Sequence, residues 1–340
     1  MSNLRTMAKL VGNRQGVLLV SLWRRVLTPV CRAAFLTSAV HNGVLRLLAD
    51  QPRTAEELAL ALGAPAEAGP RLRGWLDVGV ELGELGRRGD RYRLRGRLSR
   101  ALVRPGNEAV AASLEQMVSY QIPALLHAPA MIKDGRRLTL GDMDGEVTAR
   151  ASRVLEPFIE AAIERVVDRG RPVRLLDIGC GTGVYSRHAA RLNPLLTGLA
   201  VDLQQDVADQ AAANLARWGL ADRVDTRRAD LRELEPGEPF DLVMMHNNIY
   251  YFSEGERVAV LERARRLLAP GGRLLLTTSC RDGNVGLRIL NLWFDLADFG
   301  GPLPHHHELL AQLEGAGFTE VQATRLMPGQ AFRAFVGVNG

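Results

Sequence analysis

The nine residues "LLDIGCGTG", positions 175–183, decide how the C-terminal half of this chain folds. An apolar run meets an acid, Asp177, and then the spacing G-x-G-x-G at Gly179, Gly181 and Gly183. Glycine permits a sharp turn after a buried strand and lets a ligand touch bare main chain. We therefore expect a strand that ends at about Asp177 and a ligand that lies against the glycine loop.

Apolar runs alternate with helical stretches from about residue 172 onward. The runs are "PVRLLDI", "LLTGLAVDL", "RVDTRRAD", "FDLVMMH" and "GRLLLTTS". Such runs, connected by crossover helices, are typical of a parallel sheet covered on both faces. The chain then closes with "FTEVQATRLMPGQAFRAFVGV", two runs joined by a Pro-Gly turn. We predict a Rossmann-like α/β domain over 171–340 whose sheet ends in an antiparallel hairpin.

Two further acids follow the next strands. Asp202 ends the second strand, where a carboxylate can accept hydrogen bonds from both hydroxyls of a ribose. Asp230 follows the third strand and is placed to accept from an adenine amino group, with Leu231 offering its amide and an apolar face. For Asp230 alone, a helix N-cap is the alternative. A dinucleotide loop would need glycine at Val184, so the spacing favours S-adenosylmethionine over NAD.

The first half of the 340-residue chain reads as helices with one small hairpin. In "TAEELALALG", Thr54 as N-cap and Glu57 three residues later predict a capping box at the start of a helix. Gly63 marks the end of that helix. "GELGRRGDRYRLRG" gives two short alternating runs around a Gly-Asp turn. We predict a winged-helix domain over 1–105 and a helical linker over 106–170 that contributes to the substrate pocket.

Arginines crowd the predicted wing, although the net charge of +5 is modest for this length. A DNA-binding wing is one interpretation; a solvated edge in an arginine-rich protein is the other. The helices nearby ("VLTPVCRAAFLTSAVHNGVLRLL") are apolar enough to indicate a partner subunit. We therefore expect a homodimer through the N-terminal domain rather than a nucleic-acid partner. The arginines are Arg87, Arg88, Arg91, Arg93, Arg95, Arg97, Arg100 and Arg104.

Cysteine usage and hydropathy indicate a cytoplasmic protein. Cys31, Cys180 and Cys280 lie far apart without a C-x-x-C pair, which argues against a disulfide framework and a thiolate zinc site. The apolar run "GVLLVSLW" is too short to span a bilayer, and we expect no membrane partner.

Taken in order, these motifs over residues 172–338 resemble the class I S-adenosylmethionine-dependent methyltransferases, through "LLDIGCGTG", "AVDL", "RADL", "FDLVMMHNNIYYF" and "LLAPGGRLLLTT". The first half resembles the dimerising winged-helix domain of small-molecule O-methyltransferases, through "VLRLLADQPRTAEELALALG" and "GDRYRL". The resemblance implies S-adenosylmethionine as cofactor, with S-adenosylhomocysteine as product. The residues expected to bind it are Asp177, Gly179, Cys180, Gly181, Gly183, Asp202, Leu203, Asp230, Leu231, His246 and Asn247.

The methyl group should lie beside "HNNIYYF", residues 246–252, after the fourth strand. In the winged-helix O-methyltransferases a His-Asp-Trp segment holds the general base here, and this chain has Tyr250, Tyr251 and Phe252 instead. Tyr250 could orient the acceptor or act as a weak base. Alternatively, an acceptor that is already nucleophilic, such as an enol carbon, needs little base. The stretch N-N-I-Y is also similar to the N-P-P-Y of N-methyltransferases, although both prolines are missing.

The remaining candidates concern catalysis, substrate and metal. Tyr250 and His246 are the catalytic candidates, and His246 could instead pack under the loop. "NLWFDLADF", residues 291–299, predicts a helix that either covers the acceptor or packs in the core. Three consecutive histidines in "PHHHELL" suggest a metal ligand set, but a solvated helix start is the interpretation we adopt, with no metal site. The substrate candidates are Asn248, Tyr250, Tyr251 and Trp293.

The sequence thus predicts a methyltransferase that acts on a small, largely apolar acceptor of specialised metabolism, at carbon or oxygen, by in-line transfer. Two alternatives stay open. One is a winged-helix DNA-binding regulator that senses the cofactor. The other is an enzyme with the methyltransferase fold that performs non-methylating chemistry.

Overall fold

The computed structural model describes residues 14–235, 237–281 and 283–340, which form two compact units. The helical unit comprises the described residues as far as Tyr120 together with Glu146–Ser152. The sheet unit comprises Gln121–Gly145 and Arg153–Gly340.

The helical unit contains short helices and one two-stranded hairpin. The predicted capping box is confirmed, because the Glu57 amide donates to Thr54 Oγ1 (3.1 Å) and the Thr54 amide donates to Glu57 Oε2 (3.0 Å). The elements are α1 (Arg14–Leu22), a π-helix (Trp23–Leu27), α2 (Thr28–His41), α3 (Val44–Asp50), α4 (Ala55–Ala61), α5 (Gly69–Glu81), β1 (Leu85–Arg88), β2 (Arg91–Leu94), α6 (Arg97–Leu102), α7 (Glu108–Gln116) and a second π-helix (Met117–Gln121).

Two arginines of the hairpin are engaged within the helical unit itself. Arg91 donates to both carboxylate oxygens of Glu57, at 2.9 and 3.0 Å, and Arg87 donates to Asp77 at 3.3 Å. Their charge is therefore partly neutralised by neighbouring acids, which weakens the DNA-binding interpretation of this hairpin.

The chain continues into the sheet unit and returns to the helical unit only for Glu146–Ser152. The elements are α8 (Ile122–Asp134), α9 (Gly145–Ser152), α10 (Glu156–Val166), β3 (Arg174–Ile178), α11 (Val184–Leu192), β4 (Thr197–Asp202), α12 (Gln205–Arg217), β5 (Val224–Arg228), β6 (Phe240–His246), α13 (Arg257–Arg266), β7 (Leu268–Ser279), α14 (Val285–Leu296), α15 (His306–Gly315), β8 (Phe318–Arg325) and β9 (Phe332–Asn339).

The seven strands of the sheet unit have the order β5-β4-β3-β6-β7-β9-β8. The first five are parallel to one another, and β9 is antiparallel to both β7 and β8. The predicted parallel sheet with a terminal antiparallel hairpin is therefore confirmed. Leu175 and Leu176, neighbours on β3, are both fully buried in hydrophobic clusters on opposite faces of the sheet. This two-sided burial explains the continuous apolar runs in the sequence.

The strand order reverses between β3 and β6, since β4 and β5 follow on one side and β7 on the other. In open parallel sheets, ligands bind at the carboxyl ends of the strands at such a reversal. The glycine loop after β3 and the segment after β6 both begin there.

Candidate active site

The glycine loop runs from the end of β3 to the start of α11. Gly179, Gly181 and Gly183 have φ of +65°, +54° and +78°, a left-handed conformation that favours glycine. A Cβ placed on Gly181 would meet nothing within 4 Å, whereas one on Gly179 would lie 2.8 Å from Nδ2 of Asn248. The loop therefore leaves open space above Gly181. Cys180 is buried, and its amide donates to the Val201 carbonyl at 3.0 Å.

Asp177 is buried just before the loop. Its Oδ2 accepts from the Ser186 hydroxyl at 2.6 Å, while Oδ1 has no hydrogen-bond partner in the described part of the chain. Burial raises the pKa of this carboxyl from 3.8 to about 6, the Ser186 hydrogen bond opposes the shift, and the charge of Asp202 adds to it. A buried carboxylate oxygen without a donor is costly, so this site is suited to a ligand that brings one.

Asp202 ends β4, the strand next to β3. Its Oδ2 accepts from the Gly181 amide at 3.1 Å and its Oδ1 from the Gln204 amide at 3.2 Å. Burial raises the pKa of Asp202, and these backbone hydrogen bonds oppose the shift. Each oxygen keeps a further lone pair for a ligand hydroxyl. The adjacent Leu203 is 51% exposed and offers an apolar surface.

Asp230 follows β5, the strand next to β4. Its Oδ1 accepts from the Arg232 amide at 2.9 Å in an Asx turn, an arrangement different from the helix N-cap considered above. The Arg232 guanidinium pairs with Oδ2 at 2.6 Å and holds the pKa of Asp230 below its usual range. Leu231 is buried beside it. The structure thus places the three acids at three adjacent strand ends, in the order that the sequence predicts.

His246 ends β6 on the other side of β3. Its Nδ1 lies 2.9 Å from Thr277 Oγ1, and Tyr185 packs edge-on against the imidazole with ring centroids 4.7 Å apart. Nε2 is buried and has no partner among the described residues. Burial lowers the pKa of His246 to about 3, so the imidazole is neutral at pH 7. A neutral ring with a pKa this low accepts hydrogen bonds but is a poor general base.

Asn247 and Asn248 carry the chain away from β6. Asn247 has a φ of +54°, and its amide donates to the Thr277 carbonyl at 2.7 Å. The Asn248 side chain donates to the Ile178 carbonyl at 2.6 Å, which ties this loop to the end of β3. Its Oδ1 is buried without a partner in the described ranges. Unpaired buried oxygen or nitrogen atoms therefore occur on both strands that flank the reversal.

An aromatic cluster follows Asn248. Tyr250 lies 4.8 Å from Phe294 and 5.3 Å from Tyr251, measured between ring centroids. Phe299 stacks on Tyr251 at 6.0 Å, and Trp293 meets Phe294 edge-on at 5.3 Å. Trp293 is 2% exposed and lies in a hydrophobic cluster with residues of α8, so core packing accounts for its present contacts.

Tyr250 is not suited to act as a base. Its pKa is raised well above 10, first by burial and then by repulsion from Tyr251 and Tyr185. Near neutral pH the phenol therefore keeps its proton and can only donate or accept a hydrogen bond. The interpretation of Tyr250 as an orienting residue stays a prediction.

Sequence reasoning missed three neighbours of this site: Tyr185, Ser186 and Thr277. Tyr185 and Ser186 open α11 directly after the glycine loop, so their place in the sequence could have identified them. Thr277 pairs with His246 only through the register of β6 and β7, which no local motif encodes.

The histidine run lies at the start of α15. His305 is the N-cap residue, and its ring stacks on His307 with centroids 5.4 Å apart. Within the described ranges, no group of three or more His, Cys, Asp or Glu side chains has the arrangement of a metal site. Nor does any described helix combine the length and apolar character that crossing a membrane requires.

Residues 175–272 match the family described as a methyltransferase domain. The chain is 27% identical to demethylspheroidene O-methyltransferase of Cereibacter sphaeroides over 337 residues, which cover 94% of this chain and 85% of the relative. It is 26% identical to 3-hydroxy-5-methyl-1-naphthoate 3-O-methyltransferase of Streptomyces sahachiroi, covering 92% and 93% respectively. The solved structure of the mitomycin 7-O-methyltransferase MmcR aligns with a TM-score of 0.76 at 22% identity, covering 95% of this chain and 98% of that one.

The chain is a class I S-adenosylmethionine-dependent methyltransferase, and the likeness to MmcR shows the same fold. It uses S-adenosylmethionine to methylate a small molecule. The predicted fold class, cofactor and reaction are thereby confirmed.

Proposed function

We propose that this methyltransferase transfers the methyl group to oxygen or carbon of a small, largely apolar acceptor that lies against the aromatic cluster. The relatives support this acceptor class, since their names state that they act on demethylspheroidene and on 3-hydroxy-5-methyl-1-naphthoate. The cluster of Tyr250, Tyr251, Trp293, Phe294 and Phe299 supports it from within the chain, because aromatic side chains favour apolar and aromatic ligands.

The residues at the strand ends fit the cofactor. Asp202 would accept from the ribose hydroxyls, Asp230 and Leu231 would hold the adenine, and the open space above Gly181 would admit the methionine portion. The unpaired Oδ1 of Asp177 is suited to the ammonium group of that portion. When bound, S-adenosylmethionine supplies a methyl group on a positively charged sulfur.

The residues of the chain position the acceptor and the cofactor and exclude water from the reacting atoms. Tyr250 and Asn248 lie on the loop after β6, and the Asn248 side chain donates to the Ile178 carbonyl at the end of β3. This hydrogen bond fixes the loop that would contact the acceptor relative to the glycine loop. A fixed approach geometry lowers the barrier of an in-line displacement without any acid or base. The observation that carries the proposal is the open main-chain surface above Gly181, flanked by Asp177 and Asp202.

Calorimetry with S-adenosylhomocysteine tests the cofactor site. We expect binding at tens of micromolar or tighter, and we expect G181L to abolish it because the added side chain fills the open space. Mass analysis of products then shows whether one methyl group is gained. Absence of binding to the wild-type chain would overturn the proposal, and binding without any methylated product would favour non-methylating chemistry.

We further propose a homodimer formed through the helical unit. Large apolar side chains are exposed on α1, the first π-helix and α2, which is unusual for a surface that faces only water. L19E and W23E should shift the sedimentation coefficient to that of a monomer, whereas L60E, at an isolated exposed leucine, should not. The exposed side chains are Val17, Leu18, Leu19, Val20, Leu22, Trp23, Val26 and Val30.

A cytoplasmic location also stays a proposal. No disulfide joins the three cysteines, of which Cys31 is exposed and Cys180 and Cys280 are buried, which suits a reducing compartment. Fractionation of cells that express the tagged protein would test it.

A further inference from the structure

We propose that the acceptor enters the site already ionised, as an enolate or an electron-poor aryloxide, and that the Tyr250 hydroxyl donates a hydrogen bond to its oxygen. This inference rests on the methyl transfer proposed above and narrows the acceptor to a chemical class.

The described side chains around the aromatic cluster do not include a competent base. Tyr250 and Tyr251 are half-buried phenols, and burial raises the pKa of Tyr251 to about 12. Tyr185 from α11 is likewise a half-buried phenol with a raised pKa. His246 from β6 is neutral, and burial lowers its pKa so that it is a weak proton acceptor. Asp177 is fully buried and already accepts from Ser186.

Tyr250 is held in one place by the loop that follows α14. The Gly301 amide donates to the Tyr250 carbonyl at 3.0 Å. A Cβ on Gly300 would lie 2.4 Å from that same carbonyl oxygen, so a side chain at this position would not fit without a shift of the main chain. On the other side, the ring packs between Tyr251 and Phe294. The position of the Tyr250 ring is therefore fixed by packing.

The hydroxyl of Tyr250 has no hydrogen-bond partner in the described ranges, and the side chain is partly buried against the aromatic cluster. An oxyanion on the acceptor would satisfy this donor, and hydrogen bonds to charged groups are the stronger kind.

The chemistry balances without a proton acceptor. A lone pair on the anionic oxygen or carbon forms the new bond to the methyl carbon. The electron pair of the breaking carbon–sulfur bond stays on sulfur, which becomes a neutral thioether. One negative and one positive charge are consumed together, so no proton has to leave. A neutral acceptor would instead require a base, which the described residues around the cluster do not provide.

The test uses 4-nitro-1-naphthol as probe, because its absorbance distinguishes the naphthol from the naphtholate. With S-adenosylhomocysteine bound, we expect wild-type protein to bind the naphtholate and to lower the pKa of the bound probe relative to that of Y250F. Loss of one hydrogen bond to an anion should raise that pKa by about one unit or more. Y92F, which removes a buried hydroxyl from the helical unit, controls for general loss of stability.

Three results would overturn the inference: binding of the neutral naphthol, equal probe pKa values in wild type and Y250F, or failure of the probe to bind while S-adenosylhomocysteine binds. The last condition separates the two proposals, because a protein that does not bind S-adenosylhomocysteine contradicts the proposed function itself. For any acceptor that turns over, the rate should rise with pH through the pKa of that acceptor.

Discussion

Two buried groups on adjacent strands titrate in opposite directions, and their effects on stability can be separated by mutation. Asp177 has a pKa raised by burial from 3.8 to about 6 in the folded state. The stability it contributes is therefore complete below pH 3.8 and is lost as the pH rises through about 6. His246 has a pKa lowered from 6.5 to about 3. The stability it contributes is present above pH 6.5 and is lost as the pH falls toward 3.

Between pH 6.5 and pH 4.5 the two groups nearly cancel. Each pH unit corresponds to about 1.4 kcal/mol in the free energy of unfolding. Acidification over this interval should lower that free energy by about 2 kcal/mol through His246 and raise it by about 2 kcal/mol through Asp177. The wild type should thus change little in this interval apart from the titration of its surface carboxylates. On acidification from pH 6.5 to pH 4.5, D177N should lose about 2 kcal/mol more unfolding free energy than the wild type. H246N should lose about 2 kcal/mol less than the wild type.

Urea unfolding at constant ionic strength, without cofactor, measures these differences. The surface carboxylates are common to all variants and subtract out. The double variant D177N/H246N should follow the wild type, since both opposing contributions are gone. Parallel pH curves for the wild type and D177N would refute the assignment of a raised pKa to Asp177.

Three further outcomes follow from the site. The ammonium of S-adenosylhomocysteine should stabilise ionised Asp177, so binding at about pH 5.5 should release a proton. Calorimetry in buffers of different ionisation enthalpy detects this proton release, and D177N should abolish the release. D202N should weaken S-adenosylhomocysteine binding roughly 10- to 100-fold, since it removes an anionic hydrogen-bond acceptor; a change of less than about threefold would argue against the ribose contact. G300A should displace Tyr250 and raise the acceptor KM about tenfold without changing cofactor affinity. G329A has the same positive φ but free space around it, so equal kinetic effects of both variants would contradict a specific role for Gly300.

The parts of this protein that the sequence predicts are those encoded locally. The glycine spacing, the apolar runs and the capping box each depend on residues a few positions apart. The order of the acids along the chain also sufficed to place Asp177, Asp202 and Asp230 on adjacent strands, because consecutive strands in such folds are usually neighbours. The fold class followed from these patterns, and the cofactor and the reaction followed from the family resemblance that the patterns carry.

The rest depends on register and burial, which local patterns do not encode. The contact of His246 with Thr277 exists because β6 and β7 pair in one particular register. Equally, the pKa of Tyr250 depends on how deeply the loop after β6 is buried under α14. The Arg232 partner of Asp230 lies only two residues away, yet nothing in the sequence distinguishes an Asx turn from a helix start at that point.

The unpaired polar atoms at the strand reversal are best explained by a ligand rather than by folding alone. Asp177 Oδ1, His246 Nε2 and Asn248 Oδ1 are all buried and all lack partners in the described structure. Each costs about 1–3 kcal/mol, and apolar residues occupy the neighbouring positions Ile178 and Met245 on the same strands. A sheet selected for stability alone would have apolar side chains at the polar positions too. Apolar or isosteric neutral replacements should therefore stabilise the unliganded chain while weakening cofactor binding, the trade-off expected where a fold carries an active site.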